Sequence, residues 1–209
     1  MTAREIVLGR VRDALALAPR PPVTVERAYR RGRSLSDAER LELFTDRLVD
    51  YKAQVRTCTA GDAARVLADV LDGLGARRIG VPAGLDRSWL AGWAGTVVED
   101  RADVPAQSLA TLDAVVTASA VSCAETGTIF LDGSADQGRR ALSLVPDVHL
   151  CVVDLSSVTV GVPEALTRLV PERPTTLISG PSATSDIELE RVEGVHGPRT
   201  LVVIVRTDV

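Results

Sequence analysis

Two stretches near the end of the chain gather the residue types that do chemistry. Residues 177 to 188 read LISGPSATSDIE, and residues 194 to 205 read GVHGPRTLVVIV. Between the apolar runs lie the hydroxyls of Ser179, Ser182, Thr184 and Ser185, the carboxylates Asp186 and Glu188, and one of only two histidines, His196. Ser185 and Glu188 have capping-box spacing, so the segment could present hydroxyls and backbone N–H groups to an anion. Asp186 and His196 are joined by a short connection, and a carboxylate so placed could fix the imidazole tautomer. Gly197 and its neighbours let the backbone come close to a ligand. The plainer reading is a polar loop in which Ser182, Ser185 and Asp186 cap and turn.

A second cluster stands in SCAETGTI, residues 122 to 129. Glu125 follows an apolar run and precedes Thr126, Gly127 and Thr128; it could act as a nucleophile or base, or orient a ligand hydroxyl. The alternative is a tight turn. Cys123 has no histidine near it in sequence and reads as a structural thiol. GLGARRIG at residues 73 to 80 lies after a helical pattern and before a strand, the reverse of a dinucleotide fingerprint, with Arg78 in the third glycine's place; it reads as a helix stop. No Walker sequence is present.

These residues need elements to hold them. Val7, Val11, Ala14, Leu15 and Ala18 recur at helical spacing, and the pattern ends at a proline- and arginine-rich stretch, residues 19 to 34. The predicted division is therefore a helix and linker over 1–34 and an α/β domain over 35–209. Ser36 and Glu39 match a capping box for a second helix with Leu41, Phe44, Leu48, Tyr51 and Val55 as its stripe, and a third begins at TAGD, residues 59 to 62. From residue 77 the chain changes to short apolar runs: RRIGVPAG, GTVVED, DAVVTASA, GTIFLDG, VHLCVVDL, TTLISG and RTLVVIVR. Runs without alternation fit strands covered on both faces. Helices are predicted at 85–93 and 163–170, the latter opening on Pro163. The few residues between DAVVTASA and GTIFLDG favour an antiparallel neighbour there, giving a sheet of mixed direction.

Composition closes off several functions. The 209 residues, 45% hydrophobic and 25% charged, suit a globular α/β domain with a helical extension. The net charge of −4 and the lack of a basic stripe with aromatic partners argue against nucleic acid. No apolar segment approaches the ~18 residues of a membrane span, and nothing at the N-terminus resembles a secretion signal. Cys58, Cys123 and Cys151 lie far apart and cannot ligate an iron–sulfur cluster or a cysteine-rich zinc site, and their odd number suits a reducing cytoplasm. No metal site is expected.

In this order, AETGTI, ISGPSATSDIE and GVHGP resemble the LUD domain of the LutC/YkgG family of lactate utilisation proteins, over residues 36 to 207. The resemblance implies a three-layer α/β/α fold with a mixed, mainly parallel sheet, similar to NagB, RpiA and the CoA transferases. It also implies a role beside LutA- and LutB-like iron–sulfur proteins in oxidising L-lactate to pyruvate, the clusters residing in the partners and no cofactor in this chain. The family's motif positions fall on Glu125, Thr126, Gly127 and Thr128; on Ser179, Gly180, Pro181, Ser182, Thr184, Asp186, Ile187 and Glu188; and on His196, Gly197 and Pro198. Glu125, Asp186 and His196 are the catalytic candidates, and the others are candidates for binding a small anionic metabolite. Family members often carry Arg or Lys where this chain has Ala183, which removes an anchor for an anion at that point. A stand-alone enzyme of the CoA-transferase or cyclo-ligase type, with Glu125 as the active carboxylate, is the alternative, although GVHGPRT is not a glycine-rich basic phosphate loop; a non-catalytic ligand-sensing module is the third.

Overall fold

The computed structural model describes residues 2–17, 23–28, 34–185, 191–193 and 197–209. The chain forms two compact units, Met1–Arg30 and Arg31–Val209. In the first, helix α1 (Ala3–Leu17) opens with a reciprocal cap: Thr2 N–H donates to Glu5 Oε2 at 2.7 Å, and Glu5 N–H donates to Thr2 Oγ1 at 3.3 Å. No residue of α1 is buried, and Val7, Val11 and Leu15 are exposed. Ala18 and much of the proline-rich stretch lie outside the described residues.

The second unit begins with α2 (Asp37–Asp50), whose Ser36–Glu39 capping box is present on both sides. There follow β1 (Gln54–Cys58), α3 (Ala63–Gly73), β2 (Arg78–Val81), β3 (Thr96–Glu99), β4 (Ala114–Thr117), β5 (Val121–Cys123), β6 (Thr128–Leu131), β7 (Val148–Asp154), β8 (Val158–Thr159), α4 (Val162–Thr167), β9 (Thr176–Ile178), β10 (Ala183–Ser185), β11 (Arg191–Glu193) and β12 (Thr200–Arg206). Six strands make a sheet in the order β1-β12-β7-β4-β2-β3, and every pairing in it is parallel. A smaller sheet, β8-β5-β6-β9, is mixed, with β5–β6 and β6–β9 antiparallel. β10 and β11 pair as a separate antiparallel ribbon.

Alternation along β12 shows how the layers stack. Val202 and Ile204 join the cluster under α3, with Leu67, Leu71, Trp89 and Trp93. Leu201, Val203 and Val205 face the other way, onto Phe44 and Leu48 of α2 and onto Ile129 and Leu131 of the smaller sheet. Both faces are therefore covered, which explains the unbroken apolar run of the sequence. Leu67 and Leu48 are fully buried, and truncating either to Ala would cost roughly 2–5 kcal/mol.

Three local expectations change. Val55 does not extend the α2 stripe, because α2 ends at Asp50, Lys52 turns the chain at φ 66°, and Val55 lies in β1. The helix expected at 85–93 shrinks to a 3-10 turn, Arg87–Leu90, in which Asp86 Oδ1 accepts from Ser88 N–H at 2.9 Å; Leu85, Trp89 and Trp93 are nonetheless buried. GTIFLDG runs antiparallel to β5, not to β4: the DAVVTASA run ends as a strand at Thr117, and the chain crosses to the smaller sheet within three residues. Among the described residues no helix is long and apolar enough to cross a membrane.

Candidate functional site

The first motif is the turn of the β5–β6 hairpin. Ala124 and Glu125 donate their N–H groups to the carbonyls of Thr159 and Val160 at 2.8 and 3.0 Å, pinning the turn to β8 and the residue beyond it. Gly127 sits at φ 60°, and a Cβ there would lie 2.8 Å from Arg47 Cβ, so glycine is required for the turn to lie on α2. Glu125 and Thr126 are exposed. Thr126 Oγ1 donates to Thr128 Oγ1 at 2.8 Å, and Thr128 Oγ1 lies 2.8 Å from Ser179 Oγ. This hydroxyl chain joins the first motif to the second.

Ser179 to Ser182 leave the end of β9. Gly180 has φ 139°, and a Cβ on it would stand 2.7 Å from the Tyr51 carbonyl oxygen, so this loop too rests on the C-terminal end of α2. Ser182 N–H donates to the Pro198 carbonyl at 2.8 Å, bringing the second motif against the third. Thr184 lies in β10 opposite Val192. Asp186, Ile187, Glu188 and His196 lie outside the described residues, and with them the Asp186–His196 pair.

Ser179, Gly180, Pro181, Ser182, Gly197 and Pro198 line one cavity of about 230 Å³; Glu125, Thr126 and Gly127 are not part of its wall. Its remaining polar wall comes from residues outside the three motifs: Arg140 and Ser143 from the segment before β7, His149 from β7 and Thr176 from β9. His149 pairs in register with Val115 and Leu201 at the N-terminal end of the sheet. It is 1% exposed; its Nε2 is 2.8 Å from Thr117 Oγ1, and its Nδ1 has no hydrogen-bond partner among the described residues. Burial, helped by the charge of Arg140, lowers its pKa to about 4, so the ring is neutral at pH 7. The signal in the sequence was one polar residue inside an otherwise apolar strand, VHLCVVDL. Cys151, two residues on, is buried and its thiol is pushed up to about 12, far from a reactive thiolate.

The cavity shares Arg140, Ser143 and Thr176 with a larger cleft of about 890 Å³. There Arg139 grips Asp100 with contacts of 2.8 to 3.2 Å, and Arg173 reaches Asp132 at 3.0 Å. Burial opposes the charge of Asp132, but hydrogen bonds from Ser134 and Arg173 outweigh it and hold the carboxyl below its ordinary pKa. Arg140, by contrast, makes no ion pair among the described residues; its Nη1 donates to Ser143 Oγ at 3.3 Å.

At the opposite, C-terminal end of the sheet lies a crevice of about 170 Å³, lined in part by Asp86, Trp89, Ser119, Asp136, Asp154 and Arg206. Arg206 forks onto Asp154 at 2.6 and 2.9 Å and stacks over Trp89, 4.8 Å from the ring centroid. Among the described residues Ser119 Oγ and Asp136 Oδ1 are buried without partners, and burial raises the Asp136 pKa. Among the described residues no group of three or more His, Cys, Asp or Glu is placed to hold a metal ion.

Residues 41–205 match the model of the LUD domain. The chain is 50% identical over 176 residues to a lactate utilization protein C of Deinococcus radiodurans, covering 82% of this chain and 81% of that one. It is 31% identical over 218 residues to an uncharacterized protein of Neisseria meningitidis serogroup B, covering 98% of this chain and 93% of the other. A crystal structure of a DUF162 family protein from D. radiodurans superposes with a TM-score of 0.70 at 38% identity, over 83% of this chain and 99% of that one. The three ordered motifs, the fold that draws two of them into one cavity, and these matches lead to one conclusion: the chain belongs to the LUD domain family.

Proposed function

We propose that this protein is a LutC-like subunit or accessory protein of a cytoplasmic lactate utilisation system, acting beside two iron–sulfur proteins that carry out the electron transfer. The observation that carries this reading is the 50% identity, across 82% of the chain, to a protein named for lactate utilisation. The division of labour follows from chemistry. Oxidising a 2-hydroxy acid to a 2-oxo acid removes two electrons and two protons, and the three buried, separate cysteines of this chain offer no ligand set for a cluster that would receive the electrons. The contribution of this chain is then to bind and present a ligand, or to hold the complex together.

Deletion of the gene should abolish growth of the host on L-lactate as sole carbon source while sparing growth on glucose, and the full-length gene should restore it. Affinity purification of the tagged chain should bring down two proteins with the visible absorption of iron–sulfur clusters. Unimpaired growth on L-lactate in the deletion strain would remove the reading.

A further inference from the structure

We propose that the cavity walled by Arg140, Ser143, His149, Ser179 and Gly197 is a binding site for a small monocarboxylate that carries a hydroxyl or oxo group beside its carboxylate. Charge is the first reason. Among the described residues no carboxylate side chain lines the cavity and Arg140 is its one cationic side chain, without an acidic partner, while the neighbouring Arg139 and Arg173 are committed to Asp100 and Asp132. A single uncompensated guanidinium matches one negative charge; a phosphate dianion would be left half neutralised.

The second reason is the imidazole. His149 is almost wholly buried, with one nitrogen satisfied by Thr117 and the other without a partner among the described residues. Buried polar atoms are nearly always paired, so a residue that lines a cavity and keeps one ring nitrogen unsatisfied is a place where another molecule can complete the set. With its pKa held at about 4, the ring meets that molecule as a neutral hydrogen-bonding group and does not compete with Arg140 for the charge. A ligand hydroxyl can serve either tautomer, as donor or acceptor, whereas an oxo group requires the proton on Nδ1. Ser179 adds a hydroxyl: when Thr128 donates to it, its own proton is left for the ligand. Size is the third reason. About 230 Å³ is roughly eight water volumes at ~30 Å³ each, enough for a molecule of a few heavy atoms and too little for a nucleotide.

This deepens the lactate reading and rests on it only for the choice of first probe. Isothermal titration of the full chain would use sodium L-lactate, pyruvate, acetate and inorganic phosphate separately. L-Lactate and pyruvate should bind, acetate about tenfold more weakly or worse, and phosphate not measurably. Arg140→Met should weaken L-lactate about tenfold or more with Tm unchanged, since the side chain is exposed. His149→Gln should narrow the gap between L-lactate and acetate; should that variant fail to fold, the imidazole ¹⁵N signals of the wild-type chain should move on adding L-lactate and stay still on adding acetate. Phosphate binding as tightly as L-lactate, no heat from any carboxylate at millimolar concentration, or an Arg140→Met variant that binds like wild type would each overturn the proposal. Carboxylate binding in a protein whose deletion spares growth on L-lactate would instead keep this site and remove the lactate role.

Discussion

At the N-terminal ends of β7 and β12 the described residues of the cavity wall include a guanidinium without an ion pair and no carboxylate; at the C-terminal ends of the same two strands Arg206 is already held by Asp154, and Asp86 and Asp136 stand beside them. Open α/β sheets usually bind ligands outside the carboxyl ends of their strands. Here residues of the second and third motifs meet at the amino ends, because the loop after β9 and the entry to β12 come together there through the Ser182–Pro198 hydrogen bond. The carboxyl end is instead closed by an internal ion pair stacked on a tryptophan. A strand-end rule locates loops, and it is the loops' own charge that decides which end is open to an anion.

The contrast can be broken by titration, because burial shifts a base at one end down and an acid at the other end up. The unfolded chain takes up a proton at His149 near pH 6.5, whereas the folded chain resists it until about pH 4, so the folded state loses roughly 3 kcal/mol of stability as pH falls across that window. Urea unfolding at a series of pH values should show this acid limb in the wild type and a much flatter one in His149→Leu. Next in size is Arg206→Ala, which strands the Asp154 carboxylate and removes the stacking on Trp89; it should lower stability by about 2 kcal/mol while leaving L-lactate titration unchanged. Asp136 should behave oppositely to His149. Its folded pKa lies above the ordinary 3.8, so its contribution to stability declines as pH rises from there through the raised value, and Asp136→Asn should remove that decline. The smallest effect is expected from deleting residues 2–17, where no side chain of α1 is buried: unfolding of the remaining chain should stay cooperative, with a change within about 0.5 kcal/mol.

How much of this was legible depended on what each residue does. β2, β4, β6, β7, β9 and β12 stand out as apolar runs since most of them are covered on both faces, and the Ser36–Glu39 cap is a local pattern that tertiary structure left alone. β1 was hidden because QVRTC is an edge strand with mostly exposed side chains, and its Val55 falls four residues after Tyr51, in step with the preceding helix. β5 and β8, three and two residues long, are too short to have a period. In the candidate site the hydroxyl and glycine motifs could be read from their residue types. Arg140 could not, being one arginine among many until the fold set it in the same cavity wall as Ser179 and Gly197. His149 was masked by its aliphatic neighbours, the same burial that makes its chemistry unusual.

The place of β12 in the sheet sets an order of events for any chain made from one end. It is the last strand in the sequence yet stands between β1 and β7, and it ties back across nearly the whole domain, with Thr207 N–H donating to the Cys58 carbonyl at 2.9 Å and Asp208 Oδ1 accepting from Ala60 N–H at 2.7 Å. Until residue 206 is available, β1 has no neighbour in the sheet, α2 and α3 lack the middle of the surface they cover, and the loops of the cavity have no strand to enter. A nascent chain must therefore shelter apolar helices through nearly the whole of the domain's synthesis and then close in one concerted step, so a ribosome that stalls before β12 releases a product with exposed core and no binding site.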